Sequence, residues 1–343
     1  MEQKPNRRKQ QQIRMIVVTV IVAIILIAAI LHLTTGRVAQ GEDKRGELSA
    51  DNAGEEVATL KSSNKSIVYD GKTYDYNDHL SNYLLIGVDT DGSIQEEKGI
   101  GEAGQSDWLM LISYDRAEEK TVAIGIPRET LAMIEKFSLQ GESTGLSRDF
   151  LTLQYSYGEG KQKSCQLTAE AVSRLLNGIP VDGYAAINTS SIPELTELVG
   201  GVDVVIPNDS LVYKDPTLKK GTELHLDSTN TELFVRSRDT SENMTTSQRR
   251  ERQKVFVDAF ATKLAQEQKK DASTVTRLYE KLKPEMVTTM SNDIFVKLAG
   301  AERTGGVQTI PGESTHEGDF DVYHVDDAEL YKMVIETFYK EKP

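Results

Sequence analysis

The chain is short of nearly every residue that carries covalent or soft-metal chemistry. One cysteine, Cys165, in 343 residues excludes an internal disulfide framework and a cysteine-built zinc site. Five histidines (His32, His79, His225, His316, His324) are scattered, with no pair at ligand spacing. No GxSxG stands where a nucleophile elbow would need it, and no Walker loop is present. No internal repeat occurs. A net charge of -13 argues against nucleic acid as a partner.

Against that acidic background, one block is rich in arginine. FVRSRDTSENMTTSQRRERQ, residues 234–253, places Arg236 and Arg238 two apart and then Arg249, Arg250 and Arg252. Residues 224–235 read as a turn and a strand, which would set Arg236 and Arg238 on one face. Residues 254–264 (KVFVDAFATKL) read as an amphipathic helix, continued to 268. At the helix start, Arg249 and Arg252 share a side and Arg250 lies about 100° round. Arg236, Arg238, Arg249 and Arg252 therefore form a candidate anion site, since guanidinium forks onto phosphate oxygens. Arg250 is expected on an exposed basic face, paired with Glu242 and Glu251.

The N-terminus carries a long apolar run. Residues 1–14 hold Lys4, Arg7, Arg8, Lys9 and Arg14, and 15–31 (MIVVTVIVAIILIAAIL) are apolar except for Thr19. Such a run is long enough to span a bilayer, with its basic flank inside. Bulky Ile30 and Leu31 after Ala28 and Ala29 give no clean cleavage site. The expected layout is a cytoplasmic tail (1–14), one transmembrane signal-anchor (15–33), a flexible polar stalk (34–66) and an extracellular domain (67–343) at the cell membrane.

In the ordered part, 66–76 reads as a hairpin around Asp70-Gly71. Residues 83–88 (YLLIGV), 108–114 (WLMLISY) and 121–126 (TVAIGI) read as buried strands bounded by Asp89, Asp107 and Arg128. Two carboxylates and an arginine at strand ends suit a hard cation beside an anion. Helices follow at 167–176, 192–198, 275–282, 293–299 and 326–338, and strands at 183–188, 202–206 and 307–311. This alternation gives an α/β fold, one domain with a mixed β-sheet flanked by helices.

These pieces together resemble the LytR-CpsA-Psr family of membrane-anchored cell-wall ligases. The likeness rests on YLLIGVD, QSDWLMLIS, IPRET, Tyr157-Gly158, GIPVDGYAAIN, LVGGVDVVIP and FVRSRD…RRERQK, in that order. It implies a phosphotransferase that moves a glycopolymer from a polyprenyl pyrophosphate carrier to peptidoglycan. It further implies that Asp89 and Asp107 hold Mg²⁺ (or Mn²⁺). Arg128, Arg236, Arg238, Arg249 and Arg252 would bind the pyrophosphate, with Gln253 in support. An apolar cavity between sheet and helices would take the lipid. Two positions depart from the family's pattern: Gln105 and Glu129 stand where it usually has Arg and Asp. The acceptor hydroxyl needs a base, for which Asp91 and Glu129 are both candidates. A polyprenyl-phosphate-binding regulatory module and a pyrophosphate hydrolase would share the same residues.

Overall fold

The run LLIGV is apolar at every position because both faces of its strand are covered. In the computed structural model, which describes residues 66–343 apart from 91–93, 95, 97–98, 240 and 242–244, Leu84, Ile86 and Val88 enter one core and Leu85 enters another. The strand period of two splits the run between the faces, as in sheets buried on both sides. The expected anchor at 15–33 and stalk at 34–66 lie outside the described residues. No helix among those described is long and apolar enough to cross a membrane.

The elements in chain order begin with β1 (Ser66–Tyr69), β2 (Lys72–Tyr76), β3 (Leu80–Val88), β4 (Ser106–Asp115) and β5 (Lys120–Ile126). Then come β6 (Leu131–Phe137), β7 (Ser143–Phe150), a 3-10 turn at Leu151–Tyr157, α1 (Gln162–Leu175), β8 (Gly183–Asn188), α2 (Ile192–Leu198), β9 (Val202–Val205) and β10 (Glu223–Leu226). Next are α3 (Thr231–Arg236), α4 (Thr245–Lys270), α5 (Thr274–Leu282), β11 (Val287–Thr288), α6 (Asn292–Gly300), β12 (Glu302–Arg303) and β13 (Gln308–Thr309). The chain closes with β14 (Gly312–Glu317), β15 (Phe320–Val325), α7 (Asp327–Phe338) and β16 (Tyr339–Glu341).

The central sheet runs β11-β8-β3-β4-β5-β12, with β13 also on β5. It is mixed: β3 is antiparallel to β4 and parallel to β8, and β12 and β13 join β5 in parallel. Helices α2 to α6 cover one face, against Leu85, Met110 and Ile187. Helices α1 and α7 cover the other, against Leu84, Leu111 and Ile124. The expected mixed sheet flanked by helices is what forms. Because β3, β4 and β5 meander, the end of β3, the start of β4 and the end of β5 lie at one end of the sheet, and the end of β8 joins them.

Three readings of the sequence are corrected. Residues 231–236 are helical, not strand. Thr231, Phe234 and Val235 are buried at helical spacing, and the Asp227 side chain accepts the Thr229 N–H and hydroxyl in a turn that starts the helix. The helix of the arginine block begins at Thr245, nine residues before Lys254, so Arg249 to Arg252 lie wholly within it. Two hairpins, β6–β7 and β14–β15, went unread as strands.

One half-buried carboxylate opposes folding. Glu194, in the first turn of α2, has Oε1 buried with no hydrogen-bond partner. Burial raises its carboxyl to about 7, and the Lys281 ammonium pulls the other way. A raised folded-state pKa on an acid means that the native chain keeps a proton the unfolded chain has released. Stability is then complete below the ordinary carboxylate range and declines as pH rises towards about 7. Glu194→Gln should melt with the wild type near pH 4 and several degrees above it near pH 8. Thermal melts at both pH values decide this, and equal curves at both would count against the burial account.

Candidate active site at the end of the sheet

The bulge between β3 and β4 aims the first carboxylate. Gly87 pairs with Trp108 and Val88 with Ser106, so Asp107 is the extra residue of the bulge and faces no partner on β3. Bulges re-aim side chains in this way. Gly87 must lack a side chain, because a Cβ there would lie 2.9 Å from Thr189 Cγ2 and 3.1 Å from Trp108 Cβ. Asp107 forms a charge-assisted pair with Arg128 NH1, just past the end of β5. Asp89, just past β3, accepts the Gln105 N–H on Oδ1 at 2.7 Å, and its own N–H donates to the Gln105 carbonyl at 3.1 Å. The two carboxylates and Arg128 thus stand at one sheet end, and Gln105 spends its backbone on orienting Asp89.

Glu129 is a shared counter-ion. Its Oε1 lies 3.3 Å from Arg128 Nε and 3.7 Å from Arg249 NH2, and its Oε2 lies 3.2 Å from Arg250 NH1. Glu129 thus lies within ion-pair distance of three guanidiniums. Asp91, the other base candidate, lies outside the described residues. The Arg128 and Arg249 Nε–H groups are buried without a hydrogen-bond partner. Burial pushes the Arg249 guanidinium down to about 10, opposed by Glu129 and reinforced by Arg128, Arg238 and Arg250. One buried guanidinium with three more close enough to depress it is a candidate anion site in electrostatic terms.

Arg250 is not on an exposed face. Besides Glu129, its NH2 donates to Ser314 Oγ at 2.7 Å, and its guanidinium carbon lies 5.4 Å from the centre of the Tyr323 ring. Glu251, its expected partner, accepts instead from Asn208, and Glu242 is not among the described residues.

Arg252 corrects the opposite expectation. It is wholly buried. Its Nε donates to the Phe234 carbonyl at 2.7 Å, its NH2 to the Ser237 carbonyl and its NH1 to Ser210 Oγ. Each of its three nitrogens is spent, so Arg252 does not face the candidate anion site. Gln253 Nε2 donates to the Val235 carbonyl at 3.1 Å. Together the two side chains satisfy carbonyls left open at the C-terminus of α3 and fix the turn that carries Arg236 and Arg238. Arg236 pairs with Glu232 one helical turn back at 3.0 Å. Arg238 donates to Thr246 Oγ1 at 3.1 Å. Although the two do not share a strand face, helix end and linker bring both towards Arg249.

Two adjacent cavities share a wall here. The larger, about 440 Å³, is lined by Arg128, Glu129, Arg249 and Arg250, with Leu109, Ile126, Val257 and Val307 as apolar wall. The smaller, about 150 Å³, is lined by Arg236 and Arg249 with Ile192, Val235 and Phe256. Asp107, Trp108, Arg249, Gln253 and Val257 belong to both. Counting Lys254 and Glu251, five cations face three carboxylates around the joint space. Asp89, Arg238 and Arg252 do not line it.

The donor set suits a hard divalent cation that takes most of its shell from a substrate. One oxygen of Asp89 and one of Asp107 are bonded as described, and the second oxygen of each has no bond to a described residue. Magnesium uses one or two carboxylates plus phosphate oxygens and water. No cluster of three or more His, Cys, Asp or Glu occurs among the described residues, so the protein supplies no closed cage.

Sequence reasoning missed Ser314 and Tyr323 with the β14–β15 hairpin, although Gly318-Asp319 between two Thr/Tyr/Val-bearing runs was a hairpin signal. The role of Glu129 as a hub has no sequence signal.

Comparison with known proteins agrees with this architecture. The chain is 31% identical over 144 residues (40% of this chain, 34% of the relative) to the polyisoprenyl-teichoic acid--peptidoglycan teichoic acid transferase TagV of Bacillus subtilis. It is 28% identical over 130 residues (38% and 36%) to TagU, of the same description, from Enterococcus faecalis. The alignments span about a third of the length of these curated relatives. The crystal structure of B. subtilis TagV shares the fold, with a TM-score of 0.54 and 22% identity over 76% of this chain and 97% of that one. The LytR_cpsA_psr family model matches residues 47–338, and the chain belongs to that family.

Proposed function

We propose that the chain is a phosphotransferase that moves a glycopolymer from a polyprenyl pyrophosphate carrier to peptidoglycan. The carrying observation is the excess of guanidinium around a partly apolar cavity, five cations to three carboxylates, in a chain of net charge -13. A diphosphate with an isoprenoid tail meets both halves of that surface. The names of the relatives, teichoic acid transferases that use a polyisoprenyl carrier, support the same reading. Residues 15–33 would anchor the chain in the cell membrane, with 67–343 outside.

In this reading an acceptor hydroxyl attacks the glycan-bearing phosphorus, the bond from that phosphorus to the bridging oxygen breaks, and polyprenyl phosphate leaves carrying the hydroxyl's proton. Arg128, Arg249 and Arg236 hold the phosphate oxygens and stabilise the charge that builds on them. Arg238 adds positive potential from its place beside Thr246. Asp107 and Glu129 orient the guanidiniums. Arg252 and Gln253 act through the backbone they hold. Trp108 and the apolar walls exclude water around the isoprenoid. Mg²⁺ or Mn²⁺, held by Asp89 and Asp107, would neutralise charge developing on the diphosphate oxygens.

The test incubates the full chain with a polyprenyl-pyrophosphate-linked oligosaccharide, Mg²⁺ and peptidoglycan fragments, and follows polyprenyl phosphate by mass spectrometry. Release coupled to a modified glycan supports the transferase. Release without that product identifies a hydrolase, and bound lipid without release identifies a binding module. In the same assay Asp107→Asn should raise the Mg²⁺ concentration for half-maximal rate by about tenfold or more. An unchanged metal response would remove Asp107 from the metal site.

A further inference from the structure

The β14–β15 hairpin touches the site at three points, none of which the proposed chemistry explains. Its Ser314 hydroxyl accepts Arg250 NH2 at 2.7 Å. Its Tyr323 ring lies under the same guanidinium at 5.4 Å. Its Asp321 accepts the Thr246 hydroxyl at 2.7 Å, the hydroxyl that also receives Arg238. The hairpin is fixed to the turn that carries Arg128 and Glu129. The Tyr323 N–H donates to the Glu129 carbonyl at 2.9 Å, Thr130 bridges to Tyr323, and the Tyr323 hydroxyl donates to the Ile310 carbonyl.

Resting on the reading above, we propose that Arg250 is a further phosphate-binding residue and that this hairpin is the element that positions it. A structural ion pair would need one guanidinium per carboxylate, but Glu129 already has Arg128 and Arg249. Arg250 adds a third cation to a site with two unbonded guanidinium N–H groups. That arrangement costs free energy until an anion arrives. Two of the five N–H donors of Arg250 are used, on Glu129 and Ser314, and the rest remain for a ligand in the larger cavity that it lines. Tyr323 and Ser314 restrict a long, rotamer-rich side chain, so the guanidinium is pre-set for a phosphate.

The test titrates the full chain in detergent with farnesyl pyrophosphate by calorimetry. Arg250→Ala should weaken binding about 10- to 100-fold, as for loss of a hydrogen bond to a charged group, and Arg250→Lys should restore part of it. Ser314→Ala should weaken binding about threefold in the wild type and not at all in the Arg250→Ala background, since the hydroxyl acts through Arg250. Equal effects of Ser314→Ala in both backgrounds would overturn the positioning role. If Arg249→Ala loses binding while Arg250→Ala keeps it, Arg250 is structural and the reading of the site stands. If the wild type binds no farnesyl pyrophosphate, the reading of the site falls and this inference with it.

Discussion

Arg249→Met should lower glycopolymer transfer by about 10²- to 10³-fold, the cost of removing one preorganised group that meets developing charge. It should also raise the melting temperature of the ligand-free protein. The second effect follows from the depressed Arg249 guanidinium, down to about 10. A cation whose folded pKa is lowered is penalised in the native state at every pH below that value, including neutrality. Methionine keeps an apolar stem of similar reach and removes the repulsion with Arg128, Arg238 and Arg250. A rise of about 2–4 °C is expected for each kcal/mol relieved. Activity and melting measured on the same preparation check both halves. A variant that loses activity and melts lower would show Arg249 to be structural, because ligand residues trade stability for function in the opposite sense.

Glu129→Gln should have the largest effect on stability. The carboxylate is nearly buried and holds Arg128, Arg249 and Arg250 at 3.2–3.7 Å. Removing one partner of a buried ion pair costs about 3–5 kcal/mol because the remaining charge is left uncompensated. Here two charges are left, on Arg249 and Arg250, because Arg128 keeps Asp107. Melting should fall by about 6–20 °C on that basis. A bound diphosphate replaces the missing negative charge, so farnesyl pyrophosphate should raise the melting temperature of Glu129→Gln by more than it raises that of the wild type. Equal ligand shifts in the two proteins would mean that Glu129 and the ligand do not share the same guanidiniums.

The strands were legible where burial on both faces left no alternative. YLLIGV, WLMLISY and TVAIGI have too many consecutive apolar residues for an exposed element, and all three form where expected. The meander that brings Asp89, Asp107 and Arg128 to one end follows from that order. Direction within the arginine block was not legible. FVR reads equally as strand or helix over so short a length, and Asp227 decides through a turn with Thr229. Arg249, Arg250 and Arg252 are alike by type. Only the elements packed on α4 sort them, with the α3 carbonyls taking Arg252 and the hairpin taking Arg250. Glu129 becomes a hub through contacts more than a hundred residues away in sequence, which no local pattern records.

The two-residue strands β12 and β13 have a consequence of their own. Both lie along β5, at Lys120–Thr121 and at Ile124–Gly125, and close the outer side of an apolar seven-residue strand. An open flank of that kind would offer its free N–H and C=O groups to a second chain. The same stretch, 302–310, leads directly into the hairpin that holds Arg250. Completion of the proposed phosphate site and protection of the sheet from self-association are therefore one late event in the chain, and an interruption before Glu302 would forfeit both.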